Sequence, residues 1–193
     1  MSRLAAQEKG EYYPTPPAVI ERIAAALHVS PVKDKPVLRL FDPCAGEGLA
    51  LGQLAEALRP RLPEGVEIET WGVEINPRRA AEAAQRLNVV VEAPFEAAAW
   101  KPGQWGAVSL LLLNPPYDYS QTQHKRMETF FLEKATPALE TDGLLAYIVP
   151  TASLEWNALR HLALWYDDLS IYRFPDEGGL FEQFKQCVIF GRR

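Results

Sequence analysis

Four consecutive residues, Asn114-Pro115-Pro116-Tyr117, carry the clearest chemical signal in the sequence. They follow an apolar run, Val108–Leu113, that has the composition of a buried strand. The Asn114 side-chain oxygen and the Pro115 carbonyl are acceptors, the prolines restrict the backbone, and Tyr117 offers an aromatic face. Two acceptors on the two N–H bonds of an aromatic amine favour a more tetrahedral nitrogen whose lone pair can attack an electrophile. We therefore predict that the tetrapeptide binds a planar amino group and promotes its alkylation by positioning and electrostatics, without a metal or a strong base.

A segment of small residues, Asp42–Gly48 (DPCAGEG), is the second candidate site. It lies between an apolar run, Val37–Phe41, and the stretch Leu49–Leu58, in which the spacing of Leu predicts a helix. Small residues there let backbone N–H groups approach a ligand closely. Taken alone, the segment fits a tight turn without a ligand equally well. Its spacing matches neither the glycine pattern of nicotinamide-dinucleotide loops nor a P-loop.

An acidic residue, Glu74, ends the second predicted strand within the sequence Gly72-Val73-Glu74-Ile75-Asn76-Pro77. A carboxylate at such a strand end can accept hydrogen bonds from both ribose hydroxyls of a nucleoside. The alternative is a carboxylate that only caps the next helix or is solvated. Because the small-residue segment lies one β-α unit earlier, the ribose interpretation is favoured.

The bulk properties are those of a globular protein of 193 residues with a formal net charge of −5. This acidity argues against tight nonspecific binding of nucleic acid by the chain alone, since phosphate contacts need clustered Lys and Arg. The sequence has no apolar run long enough to cross a membrane and no signal-peptide core, so we expect a cytoplasmic protein without membrane association. The two cysteines, Cys44 and Cys187, form neither a disulfide framework nor a metal cluster.

Strand-like runs alternate with helical patterns, which is typical of a parallel sheet with helices on both faces. The predicted strands are Val37–Phe41, Glu67–Val73, Val89–Val91, Val108–Leu113, Leu144–Val149, Leu169–Phe174 and Gln186–Phe190. The predicted helices are Leu49–Leu58, Arg78–Leu87, Met127–Leu139 and Ala152–Trp165. No helix is predicted between the last two strands, so they should form a hairpin with an antiparallel final strand.

The three segments, together with Tyr12–Pro17 (YYPTPP), resemble the class I S-adenosylmethionine-dependent methyltransferases. More narrowly they resemble the N6-adenine-specific DNA methyltransferases with the gamma order of motifs, over nearly the whole chain from Tyr12 to Gly191. The resemblance implies an α/β fold with a Rossmann-like seven-stranded, mostly parallel sheet, helices on both faces and an antiparallel C-terminal strand. It also implies S-adenosylmethionine as cofactor and methylation of the exocyclic N6 amino group of adenine in DNA, as in restriction-modification systems. Three alternatives stay open: an RNA base, a protein glutamine amide, or a non-catalytic cofactor-binding subunit.

The resemblance assigns roles to individual residues of this sequence. The implied cofactor contacts are Tyr13, Thr15, Asp42, Pro43, Cys44, Ala45, Gly46, Gly48, Glu74, Ile75, Pro94, Phe95 and Asn114. The implied catalytic residues are Asn114, Pro115, Pro116 and Tyr117. The implied substrate contacts are Tyr117, which stacks on the base, Phe181 or Phe184 on its other face, and Lys125. Pro94 stands where the family usually has an acidic contact to the cofactor's adenine, and Glu92 is the candidate to replace it. Phe95 fits cofactor packing and core packing almost equally.

The predicted domain organisation is an N-terminal arm, residues 1–11, followed by one catalytic domain, residues 12–193. Methyltransferases with this motif order usually carry a target-recognition domain after the last strand, and none is expected in this sequence. A partner protein or specificity subunit is one explanation. A fragment, or a substrate other than a DNA sequence, are the others.

Overall fold

A seven-stranded sheet forms the centre of the computed structural model, which describes residues 13–28, 36–99, 105–120 and 124–193. The predicted N-terminal arm, residues 1–11, and Tyr12 lie outside the described residues. The strands are β1 (Val37–Asp42), β2 (Glu67–Glu74), β3 (Val89–Glu92), β4 (Val108–Leu113), β5 (Tyr119–Ser120), β6 (Lys125–Arg126), β7 (Leu139–Pro150), β8 (Asp167–Arg173) and β9 (Gln186–Arg192).

The sheet has the strand order β3-β2-β1-β4-β7-β9-β8, while β5 and β6 pair separately. Neighbouring strands from β3 to β7 run parallel. The strand β9 is inserted antiparallel between β7 and β8. This topology confirms the predicted fold class, including the antiparallel strand at the C-terminal end of the sequence.

Helices cover both faces of the sheet. They are α1 (Pro17–Ala26), α2 (Leu49–Leu58), α3 (Pro77–Ala83), α4 (Met127–Ala135), α5 (Trp156–Trp165) and α6 (Leu180–Phe184). Side chains alternate along β4, so Leu110 and Leu112 pack with α1 and α2, whereas Leu111 and Leu113 pack with α4. Burial on both faces explains why this central strand is a continuous apolar run.

Two segments depart from the sequence predictions. The prediction of no helix between the last two strands is wrong, because α6 lies there. Gly178 and Gly179 take left-handed φ values of 65° and 69° and lead into this helix, which is too short to produce a periodic pattern. The helix predicted to run through Leu139 ends earlier, at Ala135, and a 3₁₀ turn containing Pro137 leads directly into β7.

The helix α1 was not among the predicted helices. It begins with Pro17 in its first turn, a position at which proline needs no N–H partner. Its residues Val19, Ile20, Ile23 and Ala24 are buried against the sheet. The segment before it, which contains Tyr13 and Thr15, is thereby held at the carboxyl ends of the parallel strands. Within the described residues, no helix is both long and apolar enough to cross a membrane.

Candidate active site

A cavity of about 810 Å³ opens at the carboxyl ends of the parallel strands, the edge at which open α/β sheets bind ligands. It brings together most of the residues that the sequence singled out. Those that line it are Tyr13, Thr15, Asp42, Pro43, Cys44, Ala45, Glu74, Ile75, Pro94, Phe95, Asn114, Pro115, Pro116 and Tyr117. The cavity therefore joins the small-residue segment, the end of β2 and the tetrapeptide in one space.

The small-residue segment folds as a tight turn between β1 and α2. Gly46 and Gly48 adopt left-handed φ values of 55° and 75°, which glycine accepts without strain. A Cβ atom on Gly48 would lie 3.1 Å from the Cα atom of Ala83 in α3. Neither glycine is among the residues that line the cavity. In this chain Gly48 accordingly serves the turn and the close approach of a neighbouring helix.

Asp42 is a buried carboxylate at the end of β1. One of its oxygens, Oδ1, accepts a 2.8 Å hydrogen bond from the backbone N–H of Cys44. Burial raises the pKa of Asp42 to about 7, and the nearby Glu74 carboxylate contributes to the increase. Asp42 is thus a carboxylate that changes charge near neutral pH inside the cavity. The same burial raises the pKa of the Cys44 thiol, which makes it a poor nucleophile.

Glu74 is held by four donors. Its Oε1 atom accepts from the backbone N–H of Asn76 at 2.8 Å and from Nε and Nη2 of Arg79 at 3.1 and 2.8 Å. Its Oε2 atom accepts from the backbone N–H of Gly46 at 2.9 Å. The side chains of Glu74 and Arg79 are only 5% and 10% exposed, so this is a buried ion pair. Of the two oxygens, Oε2 has the greater capacity left for a ligand hydroxyl, since a carboxylate oxygen offers two lone-pair sites.

The side chain of Asn114 is oriented by the segment before α1. Its Nδ2 atom donates to the Tyr13 carbonyl at 3.3 Å and to the Thr15 hydroxyl at 3.0 Å. A backbone carbonyl can only accept, so the amide nitrogen must face Tyr13 and the oxygen must face the other way. The Asn114 oxygen Oδ1 in turn accepts a hydrogen bond from the Tyr117 hydroxyl. The first and third predicted segments therefore fix the amide on both sides.

The Tyr117 hydroxyl is partly buried and has a second partner, Gln186, the first residue of β9. The Gln186 side chain is buried, and its Nε2 atom donates to the Tyr117 oxygen at 2.7 Å. Burial raises the pKa of Tyr117 well above its ordinary value, so the hydroxyl keeps its proton. Sequence reasoning missed Gln186. Its only signal is a polar residue at the start of an otherwise apolar strand.

The segment after β3 contributes Pro94, Phe95 and Glu96 to the cavity lining, whereas Glu92 is exposed and is not among the lining residues. Phe95 is buried, with its ring centroid 5.0 Å from that of Phe131, so it also belongs to the core. Glu96 was not considered in the sequence analysis, which named Glu92. It is the carboxylate that the fold places next to Pro94.

The structure does not bring three predicted substrate residues into the cavity. The ring of Phe181 lies under the cations of Arg173 and Lys185, at 4.8 and 5.3 Å from its centroid, and packs on the core. The ring of Phe184 packs edge-on against Phe174 at 6.1 Å. Lys125 forms a 2.6 Å ion pair with Glu133.

The fold is that of known methyltransferases. A protein of Listeria monocytogenes assigned as a class I S-adenosylmethionine-dependent methyltransferase superimposes with a TM-score of 0.74 at 15% identity, covering 99% of this chain and 66% of the other. A tRNA methyltransferase of Aquifex aeolicus superimposes with a TM-score of 0.63 at 16% identity, covering 93% of this chain and 69% of the other.

A modification subunit assigned to a type I restriction enzyme of Vibrio vulnificus gives a TM-score of 0.64 at 18% identity. That match covers 99% of this chain but only 46% of the subunit, so the chain spans less than half of the Vibrio protein. No curated protein matches the sequence significantly. The model of the uncharacterised methyltransferase family DUF6094 matches residues 1–193. The chain therefore belongs to this methyltransferase family, and its fold is that of the class I enzymes, whose cofactor is S-adenosylmethionine.

Proposed function

We propose that the protein transfers a methyl group from S-adenosylmethionine to the exocyclic N6 amino group of adenine in DNA. The observation that carries this proposal is the orientation of the Asn114 amide, whose oxygen is turned away from Tyr13 inside the cavity that also contains Asp42 and Glu74. An acceptor fixed in this way is suited to hold an amino N–H. The family membership supports methyl transfer, and the tetrapeptide supports a planar nitrogen as its target.

The donor set of the cavity fits the cofactor. S-adenosylmethionine carries a methyl group on a cationic sulfonium, together with an ammonium group, a ribose and an adenine. Asp42 is a buried carboxylate suited to the cationic end, and Oε2 of Glu74 is suited to a ribose hydroxyl. Glu96 beside Pro94 is the carboxylate that can accept from the cofactor's adenine amino group. Phe95 lines the same part of the cavity.

The residues of the tetrapeptide divide the work on the target. One lone pair of Asn114 Oδ1 receives the Tyr117 hydroxyl, and the other is available for one N–H of the target amino group. The carbonyl of Pro115 is the acceptor for the second N–H. As the nitrogen takes up the methyl carbon it must lose a proton. Asn114 and Pro115 are neutral acceptors with no basic site, so this proton leaves to solvent.

Two solved relatives support a polynucleotide substrate, namely the Vibrio restriction modification subunit and the Aquifex tRNA methyltransferase. The motif order favours DNA over RNA. The net charge of −5 is unfavourable for tight DNA binding by this chain alone, and we therefore include a separate specificity subunit in the proposal. In this organisation residues 12–193 form one catalytic domain.

The test is a methyl-transfer assay with tritiated S-adenosylmethionine on pools of DNA, RNA and protein, followed by digestion to nucleosides and amino acids. We expect label in DNA, recovered as N6-methyladenine. Asn114→Ala should reduce transfer by about 100-fold or more, because it removes a positioned acceptor in the transition state. Asn157→Ala, on the exposed surface of α5, is the matched control and should retain full activity.

Label found only in RNA or only in protein would replace adenine in DNA by one of the alternative targets. Equal labelling by wild type and Asn114→Ala would contradict the role given to the tetrapeptide. Cofactor binding without transfer to any pool would favour a non-catalytic subunit.

A further inference from the structure

We propose that Gln186 is a positioning residue for methyl transfer, which it supports by fixing the direction of the Tyr117 hydroxyl and thereby the acceptor geometry of Asn114. The role in transfer rests on the proposed function, since it presupposes that Asn114 accepts from the target nitrogen. The role in orienting Tyr117 rests on the hydrogen bonds alone.

Gln186 reaches the site from the far end of the sequence. It is the first residue of β9, lies opposite Pro150 of β7, and has a side chain that is only 5% exposed. Because β9 runs antiparallel to β7, the beginning of β9 lies at the same edge of the sheet as the ends of the parallel strands. This topology puts the Gln186 amide 2.7 Å from the Tyr117 hydroxyl.

The hydrogen bonds from Tyr13 to Gln186 have one consistent direction. The Tyr13 carbonyl only accepts, so Asn114 presents nitrogen to Tyr13 and oxygen to Tyr117. An amide oxygen also only accepts, so the single hydroxyl proton of Tyr117 must point at Asn114. The Tyr117 oxygen is then left as an acceptor towards Gln186, which must present its N–H₂ group. Reversing the Gln186 amide would oppose two acceptors and leave one buried bond unmade.

The consequence for catalysis is a defined acceptor. With one lone pair of Asn114 Oδ1 held by Tyr117, a single direction remains from which a target N–H can be received. If the hydroxyl proton turned away, the Tyr117 and Asn114 oxygens would repel each other and the amide would lose its fixed position. Gln186 should therefore affect the rate of the chemical step more than the binding of either substrate.

The substitution Gln186→Glu tests this with little change of shape. Above the pKa of the introduced carboxyl group the side chain can only accept, so it draws the Tyr117 proton away from Asn114. Below that pKa the carboxylic acid can donate again. We expect kcat at pH 8 to fall about 10- to 100-fold with KM nearly unchanged, and to recover towards wild type at low pH.

The activity of each variant is divided by that of wild type at the same pH, so that shared titrations cancel. The titratable groups with electrostatic influence on Tyr117 are Glu128 on α4, Cys44, and Cys187 on β9, and wild type contains all three. Gln183→Glu is the matched control, because Gln183 is exposed and lies three residues earlier. It should show no pH-dependent loss. Gln186→Leu should show a smaller loss that does not vary with pH.

A readout independent of activity is the proton NMR resonance of the Tyr117 hydroxyl, assigned by its disappearance in Tyr117→Phe. In Gln186→Glu we expect this resonance to move downfield at pH 8, because the hydroxyl then donates to a carboxylate. It should return to the wild-type position at low pH. An unchanged resonance at both pH values would overturn the inference.

Losses in Gln186→Glu and Gln186→Leu that are equal at every pH would indicate a merely structural role and would also overturn it. If wild type transfers no methyl group to any substrate, the proposed function fails. The hydroxyl resonance still decides whether Gln186 orients Tyr117.

Discussion

Asn114 donates a 3.0 Å hydrogen bond to the hydroxyl of Thr15, a residue 99 positions earlier in the chain. This contact joins the segment before α1 to the tetrapeptide after β4. The same segment also provides the Tyr13 carbonyl, the second acceptor for the Asn114 amide nitrogen. The segment that the sequence analysis associated with the cofactor thus also orients the residue expected to hold the target amino group.

Removing the Thr15 hydroxyl should slow methyl transfer without unfolding the protein. Thr15→Val keeps the shape but leaves one Asn114 N–H without its partner, and we expect kcat to fall about 10-fold. Thr15→Ser keeps the hydroxyl and should stay within about 2-fold of wild type. Steady-state kinetics and the calorimetric affinity for S-adenosylmethionine separate the two effects. An equal loss in both variants would contradict the role of the hydrogen bond.

The raised pKa of Asp42 predicts a pH-dependent cost to stability. In the unfolded chain this carboxyl ionises near its ordinary value of 3.8, but in the folded protein it ionises at about 7. Between these values the folded state holds a proton that the unfolded state does not, so its contribution to stability falls as the pH rises. Asp42→Asn should therefore gain stability relative to wild type from pH 4 to pH 7, by a few kcal/mol at most. Urea unfolding at pH 4, 6 and 8 measures this, and a constant difference would refute it.

The affinity for S-adenosylmethionine should also depend on Asp42. A cationic ligand favours the ionised carboxylate, so binding lowers the pKa of Asp42 and takes up less free energy once the group is already ionised. We expect the dissociation constant to decrease from pH 6 to pH 8. Asp42→Asn should bind more weakly at pH 8 and lose most of this dependence. Calorimetry in buffers of different ionisation enthalpy would also detect the released proton.

The buried pair of Glu74 and Arg79 predicts a strong asymmetry between single and double substitutions. Arg79→Met leaves a buried carboxylate without its counter-ion and should destabilise the fold by about 3 kcal/mol or more. Arg79→Met combined with Glu74→Gln should cost less than Arg79→Met alone. Arg22→Met is the control, because Arg22 and its partner Glu177 are 56% and 81% exposed, and it should change stability by less than about 1 kcal/mol. Urea unfolding distinguishes these outcomes.

Gly48 and Gly178 permit a comparison of backbone strain with packing. Both have left-handed φ values, 75° and 65°, so alanine is strained at either position. Only at Gly48 would the new Cβ atom also meet a backbone atom, the Cα of Ala83 at 3.1 Å, whereas Gly178 has open space. We expect Gly48→Ala to lose about 1 kcal/mol or more beyond Gly178→Ala. Equal thermal unfolding of the two variants would show that φ alone matters.

The predictable part of the molecule is the part encoded by local pattern. The run Val108–Leu113 was predicted with its observed bounds, because a parallel strand buried on both faces is apolar throughout. The helix Leu49–Leu58 was also predicted as observed. The helix α6 was not predicted, because its five residues are fewer than two helical turns and leave no periodicity to detect.

The predictable part of the candidate site is similar. Asn114 and Glu74 stand directly behind apolar strands, and the loop after such a strand is visible in a sequence. Gln186 and Glu96 were not predicted, because their relation to the cavity depends on which strands become neighbours. Phe181 was predicted to face the substrate, yet its ring is covered by Arg173 and Lys185, a contact between side chains that no local pattern records.

The insertion of β9 between β7 and β8 has a consequence for the order of events during synthesis. Thr15, Asn114 and Gln186 meet at one point although they come from the beginning, the middle and the end of the described sequence. A nascent chain can form β1 to β4 before β9 has left the ribosome, but the Tyr117 hydroxyl then lacks its last partner. Contacts between such distant residues form late in folding. We expect the donor-binding half of the cavity to mature first, and the competence to react with an acceptor to arrive only with the final strand.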